Sequence, residues 1–195
     1  ADGTKFGKTE KGTIWISAKK TSPYALYQFW LNVSDSDVYK YLRYFTYLSV
    51  KEIREIELTD KSSDSKPQAQ GILASEVTKL IHGAEGLTAA KRISDGLFSG
   101  DISKLTREDL EQLDLDGLPK TVFAEERVDI VQALVRCELA KSNKMAREFI
   151  GNNAISVNGG VISSADFMLD SNKSLDGGYF VLRRGKKMFH LVKVK

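Results

Sequence analysis

The chain has 195 residues, 42% of them hydrophobic and 28% charged, with a net charge of +3. Length admits one large domain or two small ones at roughly 100–200 residues each, and this composition is that of a folding chain, not a disordered one. The single cysteine, Cys137, excludes an internal disulfide framework and a cysteine-based zinc site. No apolar run approaches the roughly 18 residues of a membrane span, and no basic-then-apolar leader opens the sequence. The two histidines, His82 and His190, are far apart, which argues against a metal site. The expectation is a soluble, cytoplasmic protein with no metal and no membrane partner. The start at Ala1, without an initiator methionine, leads us to expect a piece of something longer.

The small net charge hides an asymmetry. Residues 128–195 carry 11 Lys and Arg against 6 Asp and Glu, while residues 1–127 carry 18 against 20. A basic final third on a near-neutral body points to an anionic partner for that third.

Elements follow in chain order. Asp2 to Thr9 is a glycine-punctuated basic loop, and Thr13-Ile14-Trp15-Ile16 is short and β-prone. Ser22-Pro23 reads as a helix N-cap with proline at the first helical position, followed by Tyr24, Tyr27, Trp30 and Leu31 at helical spacing. Asp35-Ser36-Asp37 opens a second helix through Val38, Tyr41, Leu42, Phe45 and Leu48. Ser49 with Glu52 spells a capping box. Thr59 to Lys66 reads as a polar loop ending at Pro67. A long helix runs to Gly83, whose missing Cβ suits a stop, and another runs from Ala84 to Gly100. Thr106 with Asp109 starts a further helix, and Gly117-Leu118-Pro119 ends this part. Residues 22–120 are thus expected to be an all-helical bundle. Its many aromatics read mainly as core. An exposed tyrosine among them could stack on a base, but periodicity does not say which one.

The last third changes character. Residues Val128 to Leu139 read as an amphipathic helix, and Ser142 caps a second one carrying Met145, Ala146, Phe149 and Ile150. Asn158-Gly159 between Ile155-Ser156-Val157 and Val161-Ile162 is a strong hairpin signal. Tyr179 to Arg184 and Met188 to Val194 form a second hairpin across Gly185-Lys186-Lys187. This is a small α+β module over 128–195, with 121–127 as a linker. Cys137 reads as a small buried apolar residue, and His190 has no assigned role.

The order of helix, Leu139-Ala140 link, Ser142 cap, Lys144, Ala146, Arg147 and Ile150, then Ile155, Val157 and Asn158-Gly159, resembles the RNA-binding fold named after small-subunit ribosomal protein four, the alpha-L motif. Independently of the resemblance, a capped helix start presents free N–H groups, and Lys144 and Arg147 share a face at i, i+3. With Ser142, Arg183, Arg184, Lys186 and Lys187 these form an expected phosphate-binding edge, most of whose contacts would position an RNA backbone and not read bases. Asn143 departs from the family, which usually has arginine there.

The string Lys5-Phe6-Gly7-Lys8-Thr9 lacks P-loop spacing. It is similar to the second signature of class I aminoacyl-tRNA synthetases, in the variant, preceded by Asp2-Gly3-Thr4, of bacterial and mitochondrial tyrosyl-tRNA synthetases. Ser22-Pro23-Tyr24, with Tyr27-Gln28-Phe29-Trp30, is similar to the start of that family's helical domain. The resemblance covers essentially the whole chain. It implies a signature loop and remnant of the Rossmann catalytic domain at 1–21, a helical anticodon-binding domain at 22–120, and an alpha-L RNA-binding domain at 128–195. It also implies ATP (with Mg) as substrate, with no permanently bound cofactor. Lys5 and Lys8 would meet the charge growing on the departing pyrophosphate, and Thr9 fills the terminal hydroxyl position. The implied partner is tRNA(Tyr), not DNA, and the implied full enzyme is a homodimer through a catalytic domain this chain lacks. The family's His-x-Gly-His-like motif has no counterpart, so this chain alone is expected to be inactive. The alternative is a non-catalytic RNA-binding adaptor or a ribosome-associated protein, which would have no use for the Lys5–Thr9 loop.

Overall fold

The structure, a computed structural model, describes residues 8–9, 12–62, 67–99 and 101–194. They combine helix and sheet and gather into two compact units, Ala1–Lys91 and Arg92–Lys195. None of the described helices is long and apolar enough to cross a membrane.

In the first unit, β1 (Lys8–Thr9) and β2 (Gly12–Thr13) pair antiparallel. Of the β-prone Thr13–Ile16 stretch, only Thr13 joins that ladder. The helix α1 (Pro23–Leu31) starts as the sequence predicts, with the Ser22 hydroxyl accepting from the Ala25 N–H at 3.0 Å. Then come α2 (Val38–Phe45) and α3 (Val50–Ser62). The α3 start is the expected capping box: the Ser49 N–H donates to the Glu52 carboxylate at 2.7 Å, and the Glu52 N–H donates to the Ser49 hydroxyl at 3.2 Å. The helix runs past the expected loop start at Thr59. Lys61 pairs with Glu57 one turn back at 2.7 Å, an i, i+4 pair that supports the extra turn. In α4 (Ala69–Ser99), Gly83 stands at φ 73°, ψ −178°, the break anticipated there.

Asp60 organises this unit. Its carboxylate accepts from the Gln68 and Ala69 N–H groups at 2.8 and 3.1 Å and from the Tyr39 hydroxyl at 3.1 Å, so one side chain of α3 caps α4 and holds α2. Burial, then this bond to Asp60, pushes the Tyr39 hydroxyl up to about 12. The core comprises Leu26, Tyr27, Trp30, Val38, Leu42, Ile53, Leu73 and Val77.

The second unit contains the end of α4, a 3-10 turn at Ile102–Lys104, α5 (Arg107–Gln112) and a π-helical turn at Leu113–Gly117. Strands β3 (Lys120–Phe123) and β4 (Arg127–Asp129) follow, then helices α6 (Ile130–Arg136) and α7 (Asn143–Gly151). Strands β5 (Ile155–Val157), β6 (Gly160–Val161), β7 (Met168–Asp170), β8 (Tyr179–Arg184) and β9 (Met188–Val194) complete it. One sheet has the order β3-β9-β8-β5-β6, with β3 parallel to β9 and the rest antiparallel, while β4 pairs separately with β7.

The segment 121–127, expected as a linker, therefore supplies a sheet strand and the start of β4. Its Phe123 is fully buried, which a bare link would not allow. The helix expected from Val128 starts only at Ile130, because Asp129 caps it through the Gln132 N–H at 3.0 Å and Val128 pairs with Leu169. The Asn158-Gly159 turn forms as read. Both residues have positive φ, 50° and 86°, as a two-residue hairpin loop of this type requires.

Side chains alternate across the sheet. Phe180, Leu182 and Val192 face the core made with α6 and α7. On the other face, Ser156, Val181, Arg183 and Phe189 meet Leu97 and Ile102 around a small cavity, and the Phe98 and Phe189 rings stand edge to face at 5.8 Å. The layer carrying Leu97 and Ile102 is pinned by one ion pair. The Arg92 guanidinium donates twice to Asp109, at 2.6 and 2.8 Å, and the Thr106 N–H adds a third bond at 2.9 Å to this fully buried carboxylate.

Arg92→Met strands that carboxylate and should cost about 3–5 kcal/mol. Asp109→Asn should cost less, since Arg92 keeps a third of its side chain in water. Chemical denaturation checks the order, and equal or negligible losses would show that the pair does not hold this layer. His190 gives a pH test. It bonds Thr121 at 2.9 Å, and burial, opposed by Glu138, holds its imidazole below the ordinary 6.5. The unfolded chain thus binds the proton more readily. Stability should be constant above about pH 7 and fall as pH drops through about 6.5, and His190→Asn should flatten that slope.

Candidate nucleic-acid interface

The candidate edge is built where α6 gives way to α7. Ser142 has extended backbone (φ −159°, ψ 162°), and its hydroxyl accepts from the Met145 N–H at 3.3 Å. Capping leaves the N–H groups of the first turn pointing outward, beside Lys144 and Arg147, which are both exposed. Ala146 and Ile150 on the opposite side are buried, so packing fixes which face of α7 meets water.

Arg184 holds this edge in place. Its guanidinium donates to the Leu139 carbonyl at 2.5 Å, contacts the Met188 sulfur, and lies 5.1 Å from the centre of the Phe149 ring. It thereby ties the α6–α7 link to the last hairpin. Of the two arginines singled out from the sequence, this one is a positioning residue. Arg183 projects to the other face of the sheet, where it is half-buried beside Val181 and Phe189. The expected cluster is therefore divided: Ser142, Lys144, Arg147 and Arg184 share the α7 side, Arg183 does not, and Lys186 and Lys187 are exposed at the β8–β9 turn. Lys5 lies outside the described residues, as do the side chains of Lys8 and Thr9; the backbone of Lys8 and Thr9 forms β1.

Sequence reading missed other participants. Lys141, next to the cap, is exposed. Asn158 does more than turn the chain: its side-chain carbonyl accepts from the Val181 N–H at 2.9 Å, stitching the first hairpin to β8. Asp114 gathers Lys120 at 2.8 Å and the Tyr179 hydroxyl at 3.0 Å. Burial alone would raise this carboxyl, but those two bonds outweigh it and hold it below the usual range. The sequence carries no signal for it, because Asp114 and Tyr179 lie 65 positions apart. Cys137 is buried, which pushes its thiol up to about 11 and leaves it unreactive. Among the described residues, no group of three His, Cys, Asp or Glu side chains is placed to hold a metal ion.

The family model for tRNA synthetases class I (W and Y) matches residues 1–99. The chain belongs to this family. The model for a tyrosine–tRNA ligase SYY-like C-terminal domain matches residues 109–192 of the same class I chain. The tyrosine–tRNA ligase of Aliivibrio fischeri is 58% identical over 98% of this chain and 45% of its own length. That of Chromobacterium violaceum is 53% identical over 98% and 45%. A solution structure of a tyrosyl-tRNA synthetase C-terminal domain is 35% identical, covering 50% of this chain and 98% of its own, with a TM-score of 0.41. This class I synthetase chain thus spans a little under half the length of the two curated relatives.

Arg184→Ala should lower both the stability of the second unit and any RNA affinity. Lys144→Ala with Arg147→Ala should lower affinity alone, and Ser142→Ala should cost about 1 kcal/mol as a lost cap. Thermal unfolding beside RNA binding separates them. Stability equal to the parent for Arg184→Ala would remove its positioning role.

Proposed function

We propose that the chain is the tRNA-binding part of a tyrosine–tRNA ligase. In the whole protein, the tyrosine carboxylate attacks the α-phosphate of ATP and pyrophosphate leaves. The ribose hydroxyl at the 3′ end of tRNA(Tyr) then takes the tyrosyl group and AMP departs. Lys5 and Lys8 would meet the β- and γ-phosphates, accompanied by Mg, with Thr9 at the end of the loop. The observation that carries this reading is a pairing of two features in one chain: a class I synthetase match over residues 1–99, and a capped, lysine- and arginine-bearing helix end at Ser142–Arg147.

In the finer reading, residues 1–21 belong to the catalytic domain, the helices of 22–120 form the anticodon-binding part, with the stretch from Arg92 lying on the sheet of the second unit, and 128–195 form the alpha-L module, entered through strand β3 at Lys120–Phe123. Ser142, Lys144, Arg147, Lys186 and Lys187 contact RNA phosphates and Arg184 positions them, while Arg183, on the opposite face of the sheet, stands apart from this edge. The whole enzyme works in the cytoplasm as a homodimer joined through its catalytic domain. The Lys5–Thr9 loop favours this over a non-catalytic adaptor, because an adaptor needs no such loop.

The test is binding of tRNA(Tyr) to the 195-residue chain across a salt series. Log affinity should fall linearly with log salt, with a slope of roughly −0.7 to −0.9 per phosphate contacted. Replacing Lys144, Arg147, Lys186 and Lys187 together by alanine should reduce that slope. The chain alone should give no ATP–pyrophosphate exchange. A salt-independent affinity would contradict the phosphate-edge reading.

A further inference from the structure

The helical unit carries a surface feature that the basic edge of the sheet unit does not explain. At the corner between α2 and α3, Tyr47 is 90% exposed and Tyr44 is 67% exposed. Large rings left in water at a fixed place are informative, where scattered exposed apolar residues are not.

This corner is fixed. The Thr46 hydroxyl donates to the Leu42 carbonyl at 2.7 Å and accepts from the Leu48 N–H at 3.3 Å. The Ser49–Glu52 box holds the chain on the far side. Behind Tyr44, the Phe45 ring packs at 6.5 Å and itself rests on the buried Trp30 at 5.0 Å. Tyr44 is thus an exposed ring on a packed aromatic base.

Cations flank the rings. The Lys40 ammonium lies 5.9 Å from the Tyr44 ring centre, and Lys51 and Arg54 are exposed on α3. Of the carboxylates on α3, Glu52 is engaged in the capping box and Glu57 with Lys61 at 2.7 Å and Arg43 at 3.9 Å, while Glu55 is exposed.

We propose that Tyr44 and Tyr47 are a stacking platform for unpaired RNA bases, with Lys40 and Lys51 taking the adjoining phosphates. Exposed aromatic faces interleaved with cations suit single-stranded nucleic acid, where each base offers a flat face and each linkage a charge. A paired duplex presents no such face to stack on. This inference rests on the RNA-binding reading above and adds a second, chemically different contact to it: stacking, in place of phosphate capture.

The test uses the 195-residue chain with two fluorescein-labelled RNAs, a stem with a seven-base loop and the same stem closed as a continuous duplex. Tyr44→Ala and Tyr47→Ala should each weaken loop binding roughly tenfold, leave duplex binding unchanged, and leave thermal unfolding at the parent temperature. Tyr47→Phe should keep parental affinity, because the ring and not the hydroxyl makes the contact. Lys40→Ala and Lys51→Ala should reduce the salt slope for the loop RNA. If the parent binds the loop RNA and both tyrosine variants bind it equally well, this platform is refuted while the RNA-binding reading stands, and the corner is then a protein-facing surface. If the parent binds neither RNA, the broader reading fails and this one with it.

Discussion

The sheet of the second unit is apolar on both faces, and both must be covered. That constraint sets the rest of the arrangement. Helices α6 and α7 cover one face through Leu134, Ala146 and Ile150 against Phe180, Leu182 and Val192. The segment from Arg92 through the π-helical turn covers the other, held by the Arg92–Asp109 pair. Because α7 must bury Ala146 and Ile150 and packs Met145 and Phe149 against the same core, its opposite face turns outward, and Lys144 and Arg147 lie there. The basic edge is thus a by-product of covering the core, sharpened by a cap at Ser142 and an anchor at Arg184.

The two segments of this unit differ in charge. Residues 92–127 carry 5 Lys and Arg against 9 Asp and Glu, while 128–195 carry 11 against 6. The basic segment attracts an anion and the acidic one repels it, so charge biases an anion's approach before any contact forms. The helical unit offers a different surface: exposed aromatic rings on a packed base.

Local chemistry was legible in the sequence where it is self-contained. The caps at Ser22, Ser49, Thr106 and Ser142 and the turn at Asn158-Gly159 all follow from side chains within a few residues. Pairing between distant segments was not legible. Residues 121–127 look like a link because Lys120-Thr121-Val122-Phe123 finds its partner β9 some seventy positions away, and the parallel register leaves no local signature. Arg183 and Arg184 read as one basic pair, yet strand alternation sends them to opposite faces. Arg184 shows a further limit: composition counts it as a free charge, whereas the fold spends it on the Leu139 carbonyl. The aromatics of the helical unit read as core, and only burial separates Trp30 from Tyr47.

The central claim is that the start of α7 and the β8–β9 turn form the surface that meets RNA. Amide chemical-shift mapping of the isotope-labelled chain with a tRNA(Tyr) stem-loop tests it most directly. The account predicts the largest shifts at Lys141–Arg147 and Gly185–Lys187, with none at Asp101–Asp116 on the acidic side. Shifts concentrated on Asp101–Asp116, or an α7 first turn that does not respond, would contradict it.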